Sequence, residues 1–427
     1  MATDEIGRGA SRTLWEHILT APMVDSHEHL ISAEEYGNWR VDVLQTVFHH
    51  YVHSDLLSAG AAKDSVDNLA NGSPEDIGAR FEAVKEAWLR VKHTSYGHAS
   101  RIIAKEVFGI DEFTGEKFEE AQARVQRVPK TSRLEVLRNK ANIDHVQIDA
   151  FQSELKPDSE DAGFFRYDLN AFSFATAELN MQALESSFGK AVASAADLRA
   201  YLERLFDSNA KKAVAVKTQH AYARTLDWEE RPDDMATKAL ESLCHGEPLG
   251  EDDRRGLGDW ALARTVELAQ SYDLPVKIHT GYLAGNDNLD LERIRPSKLW
   301  KLFAKFPKVR FILMHTGYPF GAEIVALAKN FGNVYADLCW SWSIDAYSTV
   351  DFVRRMIHAC PSHKLFAFGG DTFYPEATVA FAKQARRGLG TALQAEIEEG
   401  YLSEKDAIEL ADQYMRKNQY ECFRLSA

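Results

Sequence analysis

His27-Glu28-His29 follows the short apolar run Met23-Val24 and the pair Asp25-Ser26. His279 ends the run Pro275-Val276-Lys277-Ile278, His315 ends the run from Val309 to Met314, and Asp371 follows Gly369-Gly370 after Leu365 to Phe368. Neutral imidazoles with one carboxylate suit Zn²⁺ and related divalent ions. In a strand, alternate side chains share a face, so His27 and His29 project together while Glu28 points elsewhere. Each element alone is weak. A single strand-end histidine is more often a hydrogen-bonded surface or core residue, and Asp371 alone reads as an N-cap or a turn residue. Four strand ends that agree predict a metal site, because one ion demands ligands converging from separated segments.

The elements that must position these residues are legible in the hydrophobic pattern. Ser11 to Thr20 reads as a short helix with Leu14, Ile18 and Leu19 on its apolar side, ended by Pro22. From about 31 to 138 the period is helical, as in Phe81, Val84, Ala87, Trp88 and Val91, with no convincing strand. That stretch is too long for an ordinary loop and too apolar for a linker, so it reads as a helical insertion. Beyond it, strand patterns at Asn142 to Asp149, Phe165 to Phe172, Ala213 to Lys217, Pro275 to His279, Val309 to His315, Asn333 to Leu338 and Leu365 to Phe368 alternate with helical ones. The helical ones are Ser194 to Phe206, Gly256 to Ser271, Pro296 to Phe306, Gly321 to Phe331, Ala346 to Cys360, Pro375 to Leu389 and Ser403 to Phe423. Eight strands alternating with helices predict a (β/α)8 TIM-type barrel of the α/β class, with an open doubly wound sheet as the alternative. No GxGxxG follows a strand and no GxxxxGK[ST] is present, which disfavours nucleotide-binding versions. Residues 1–427 are expected to form one barrel domain that carries the insertion. In such barrels the active site lies at the C-terminal ends of the strands, where the histidines and Asp371 fall.

The charge balance is −14, from 50 basic and 64 acidic residues, which argues against a nucleic-acid binder. Cys244, Cys339, Cys360 and Cys422 are widely spaced and form no CxxC pair, as expected of a reducing compartment. Met1-Ala2-Thr3-Asp4-Glu5 opens no basic-then-apolar leader, and no run approaches the ~18 apolar residues of a membrane span. The expected location is the cytoplasm and the expected partner a small-molecule substrate, with no nucleic acid and no membrane. A homo-oligomer is compatible with all of this.

The HxH after strand one, the histidines after strands five and six and the Asp after strand eight resemble the amidohydrolase superfamily. The chain is most similar to its amidohydrolase-related branch, which includes the amidohydrolase-type domain of nodulin/glutamine synthetase-like fusion proteins. The phrases that carry this are Pro275-Val276-Lys277-Ile278-His279-Thr280-Gly281, Met314-His315-Thr316-Gly317-Tyr318-Pro319 and Asn333-Val334-Tyr335-Ala336-Asp337-Leu338. The resemblance implies that His27, His29, His279 and Asp371 bind one divalent metal, Zn²⁺ or alternatively Mn²⁺. It implies that Asp371 takes the proton of metal-activated water, and that His315 orients water and substrate or binds a second ion. A metal lowers the pKa of its water towards ~7, and a nearby carboxylate can accept the proton.

Lys217 ends the fourth strand, where some superfamily members carry a carboxylated lysine between two metals. A substrate-binding ammonium in a one-ion site is the favoured reading, since lysine pairs naturally with substrate anions. Tyr222 and Arg224 follow, as in a related Lys…Tyr-Arg phrase, although Ala223 separates them here. Trp340 follows strand seven and is expected to wall the pocket. His49, His50 and His53 in the insertion read as a packed or solvated helix face. If the insertion covers the barrel mouth, His49 or Arg40 would meet substrate. The expected activity is metal-dependent hydrolysis of a C–N or ester-type bond in a small, carboxylate-bearing substrate. The alternatives are a non-hydrolytic enzyme on the same scaffold, uronate isomerase-like or a decarboxylase, and, less favoured, a non-catalytic binding or assembly module.

Overall fold

The computed structural model describes residues 11–127, 130–158, 160–285 and 289–426. Met1 to Glu5, read above for a leader, lie outside them. Eight parallel strands form one sheet in chain order: β1 (Met23–Glu28), β2 (Ile143–Ile148), β3 (Phe165–Asn170), β4 (Ala213–Thr218), β5 (Val276–Ile278), β6 (Phe311–Met314), β7 (Val334–Asp337) and β8 (Leu365–Phe366). The circle closes through the chain after β8. The Ser26 amide donates to Phe368 O (3.0 Å), the Asp371 amide to His27 O (2.8 Å) and the His29 amide to Thr372 O (3.1 Å). This is the (β/α)8 barrel, and the same three bonds bring Asp371 beside both histidines of β1.

Strands buried on both faces read as apolar runs, and Phe311-Ile312-Leu313-Met314 is one. β1 differs: all six of its residues are buried although four are polar. Its polar side chains therefore need partners within the barrel. Gly370 makes room for one of them, since a Cβ there would lie 2.0 Å from Glu28 Oε1.

Between β1 and β2 the described residues form helices and no strand. Their core is aromatic, with the rings of Phe48, Phe81, Trp88, Phe113 and Phe118 packed against one another in stacked, tilted and edge-on pairs. The helix Ser95–Phe108 packs on the helix Pro375–Glu398 of the barrel wall. Tyr51 reaches the mouth, where its hydroxyl donates to Tyr282 O (2.8 Å).

Some elements differ from the sequence pattern. The helix Asp233–Cys244 was not anticipated. The helix from Pro375 continues to Glu398, past Gly388 and Gly390, which lie tight against Trp342 and Trp15 as packing spacers rather than stops. The final segment is interrupted by a wider turn over Gln413–Lys417. Ser403 caps its helix reciprocally with Asp406. No helix among the described residues is long and apolar enough to cross a membrane.

Candidate metal centre

Asp371 is the hub of the barrel mouth. Its Oδ1 lies 3.2 Å from His27 Nε2 and 3.1 Å from His29 Nε2. Its Oδ2 lies 4.0 Å from His315 Nε2. Donor atoms of His27, His29 and Asp371 fall within 4.8 Å of one another. His29 Nδ1 donates to Asp149 O (2.7 Å), which leaves Nε2 aimed at the carboxylate. His279 also joins the cluster, its ring 4.3 Å from that of His315. Its Nε2 donates to Tyr282 O (3.0 Å), so Nδ1 is the nitrogen left for a ligand.

Electrostatics suit a cation. Burial, reinforced by the Lys217 ammonium, holds His27 well below the ordinary histidine range. Burial and Lys217 likewise bring His279 down to about 3, and burial next to His279 lowers His315. For Asp371, burial pushes upward, but the neighbouring His27, His29 and His50 imidazoles outweigh it and hold the carboxyl well below its usual range. The set therefore offers neutral imidazoles and an ionised carboxylate, the forms that bind metal. Both ring nitrogens of His315, and Nδ1 of His27, are buried without a hydrogen-bond partner. Buried orphaned nitrogens are costly unless something pairs with them; His315 Nε2, near Asp371 Oδ2, is open to an ion, whereas His27 turns Nε2 and not its orphaned Nδ1 to the carboxylate.

Residues 166–402, more than half of the chain, match the family model described as amidohydrolase. The chain belongs to the amidohydrolase family. Its relative Protein fluG of Emericella nidulans is 25% identical over 228 residues, which cover 50% of this chain but only 26% of that protein. Solved structures share the fold. The uronate isomerase of Thermotoga maritima matches with a TM-score of 0.80 at 15% identity, over 96% of both chains. The glucuronate isomerase of Caulobacter crescentus matches at 0.77 and 15% identity, over 100% of this chain and 96% of that one. A protein described as a putative metal-dependent hydrolase from Lactobacillus casei matches at 0.67 and 16%, over 96% and 97%.

Within this member of the amidohydrolase family the remaining predicted residues fall into two groups. Lys217, 1% exposed, donates to His27 Nε2 (3.0 Å) and lies 3.7 Å from Asp149 Oδ2. The Tyr222 ring is 4.9 Å from that of His279, and its hydroxyl accepts from the Ala284 amide (3.0 Å). Trp340 stacks on His315 (4.7 Å between ring centres, 12° between planes), with its indole N–H buried and unpaired. Arg224 is turned elsewhere. Its guanidinium donates to Ala175 O (2.6 Å), Thr225 O and Asp227 O, and pairs with buried Asp259 at 3.1 Å. Those bonds tie a loop to the helix Glu251–Ser271.

Two residues at the mouth were not singled out as ligands by the sequence pattern. His50 does not sit on a helix face. It occupies a left-handed position (φ 68°) between the helices Val43–Val47 and Val52–Ser58, and points Nε2 at Asp371 Oδ2, 3.7 Å away. Tyr96 OH, 3.1 Å from its Nδ1, holds the ring. The expected packed face therefore applies to His53, while His49 is half-buried, its ring edge-on to Tyr374, and Arg40 is exposed. Cys339 lies with His315 and Asp371 in a second cluster of donor atoms within 4.8 Å. His50, His315, Thr316, Cys339 and Asp371 all have positive φ without being glycine. Such residues cost about 1–3 kcal/mol each and gather at functional sites.

Proposed function

We propose that this amidohydrolase-family chain is a metal-dependent hydrolase that cleaves a C–N or ester-type bond in a small, carboxylate-bearing substrate. The observation that carries the reading is the meeting of His27 and His29 on one oxygen of Asp371, at 3.2 and 3.1 Å. His27, His29 and Asp371 would hold one divalent ion, Zn²⁺ or alternatively Mn²⁺, with His279 Nδ1 as a further donor. When bound, such an ion supplies Lewis acidity towards water and a substrate oxygen. The chain's own groups do the rest. Asp371 accepts a proton at Oδ2, the oxygen turned away from His27 and His29. His315, fixed by Trp340, donates to the reacting group from a ring nitrogen that has no other partner. The Lys217 ammonium holds the substrate carboxylate. Tyr222 and Trp340 line the pocket, and the helices between β1 and β2 exclude water from one side as part of the same barrel domain. Arg224, engaged with Asp259, has no role in this reading. The four cysteines are unpaired, in keeping with a cytoplasmic enzyme.

A second reading, isomerisation by internal proton transfer, is favoured by one observation. His50 adds a proton-carrying group that faces Asp371, and it comes from the helical stretch included in the match to the Thermotoga maritima uronate isomerase.

The test is turnover of a library of carboxylate-bearing amides, lactones, esters and uronates by the Zn²⁺- or Mn²⁺-loaded protein, read by product mass. Hydrolysis adds one water and isomerisation changes nothing, whereas loss of CO2 would mark a decarboxylase. Activity that survives His27→Ala together with Asp371→Ala would sink the metal-dependent reading.

A further inference from the structure

We infer that Cys339, His315 and Asp371 form a second cation subsite, suited to a thiophilic divalent ion, across Asp371 from His27 and His29. One donor atom from each of the three lies within 4.8 Å of the others, and the Oδ2 that faces His315 is not the oxygen that meets His27 and His29. His315 is fully buried, and neither of its ring nitrogens has a hydrogen-bond partner. The Cys339 thiol is equally buried. Cys244 and Cys360 donate their thiols to carbonyls of Val192 and Val325, but no such bond is made by Cys339 among the described residues. Two orphaned groups from the ends of β6 and β7 thus face the Asp371 carboxylate, whose Oδ2 His50 Nε2 also approaches, at 3.7 Å.

The backbone holds them there. His315, Cys339 and Asp371 sit at φ 65°, 45° and 52°, and the Cys339 amide is fixed by Asp337 Oδ1 (2.9 Å). Gly369 clears space for the sulfur, since a Cβ there would lie 3.0 Å from Cys339 Sγ. A packed core cysteine would need neither the strained backbone nor the unpaired imidazole.

A sulfur, nitrogen and oxygen set selects Zn²⁺, Co²⁺ or Cd²⁺ over Mg²⁺ or Ca²⁺. Bonds of about 2.0–2.3 Å to one ion require the three donors to close by roughly an ångström. When the S–metal bond forms, the thiol proton leaves to buffer, one per ion. On the functional reading above, an ion here occupies the oxygen that accepts the proton in turnover, so this subsite is inhibitory. The inhibition rests on that reading, whereas the subsite itself does not. It also differs from a two-ion site bridged by carboxylated Lys217, which would not need the thiol.

The experiment is a Co²⁺ titration of the full-length, metal-stripped protein, with bound metal counted by elemental analysis and sulfur-to-cobalt charge transfer followed in the near ultraviolet. The expected result is two ions per chain, with the charge-transfer band arriving with one of them. Cys339→Ser and Cys339→Ala, checked for folding by circular dichroism, should each bind one ion and lose the band, and His27→Ala should keep the band. Binding of a single ion without the band, or a band that survives in Cys339→Ser, would overturn the subsite while leaving the His27–His29–Asp371 site intact. If the wild type binds no Co²⁺ at all, both the subsite and the metal-dependent function fall. A single ion that carries the band would also overturn the two-subsite arrangement.

Discussion

Lys217 and Lys277 are register partners on adjacent strands, both project into the barrel, and both are almost completely buried. Their surroundings differ. The Lys277 ammonium donates to both oxygens of Asp168 (3.0 and 2.8 Å) and to Ser26 O (2.8 Å), so all three of its donors are used. Lys217, toward the mouth, donates to the imidazole of His27 and stands 3.7 Å from Asp149, a carboxylate already engaged by the Phe151 amide and Asn170. Around Lys277 the ammonium is closed by complete pairing. The layer above it keeps unpaired nitrogens, left-handed backbone and a cation beside a histidine. Buried charge that is fully paired is architecture, whereas buried charge left partly unpaired, at strand ends that converge, marks the place where a ligand belongs.

The hardest test of this contrast is Lys277→Met. It strands Asp168 in the barrel interior, and losing one member of a buried pair costs about 3–5 kcal/mol. A large drop in the urea midpoint is expected, and a change of less than about 1 kcal/mol would show that the Lys277–Asp168 pair does not hold the barrel together.

Metal should act only on the upper layer. Zn²⁺ at a hundred times its dissociation constant should stabilise the stripped protein by about 2.7 kcal/mol, seen as a raised melting temperature. That gain should vanish in His29→Ala. A shift that persists in that variant would move the site elsewhere.

The lower pair also carries a pH signature. Burial, opposed by Lys277, pushes the Asp168 carboxyl from 3.8 up to about 6. A carboxyl whose folded pKa is raised contributes stability that is fully present below about pH 4 and is lost as pH rises through about 6. The double variant Asp168→Asn/Lys277→Met should lack this component. It should return to within about 2 kcal/mol of wild type at pH 7, more stable than either single variant, because apolar or neutral replacement of a whole buried pair is often close to neutral. Denaturation curves at pH 4, 5, 6 and 7 would decide.

The smallest effect is expected at Lys217→Met, about 1 kcal/mol or less in stability, with Zn²⁺-induced stabilisation retained. If that variant proves as damaging as Lys277→Met, the two layers do not differ as their pairing suggests.

Much of the fold could be read locally. Alternating strand and helix patterns marked all eight strands to within a few residues, because a parallel strand buried on both faces is a short apolar run bounded by turns. The helix Asp233–Cys244 escaped because its buried positions, such as Ala236, Ala239 and Leu240, are sparse among charged ones. At the mouth, His27, His29, His315 and Asp371 were legible as strand-end residues, and the structure gathers them. His50 was not, since its direction depends on a left-handed junction that no periodicity announces. Cys339 looked like one small buried residue among four. Arg224 looked available until Asp259, 35 positions later in the chain, claimed it.

What the sequence determined by itself is chemistry of local origin: eight strands, a long helical stretch after the first, and histidine or aspartate side chains, of types that can ligate metal, at the ends of four strands. Residue type and period act over a few neighbours, so they are written in short windows. Only the tertiary structure decided which oxygen of Asp371 faces which imidazole, which ring nitrogen of His279 Tyr282 occupies, and which of two buried lysines is left short of partners. The first and third depend on segments far apart in the chain, brought to about 3 Å by barrel closure, and the second on the turn that follows β5; no periodic pattern encodes them.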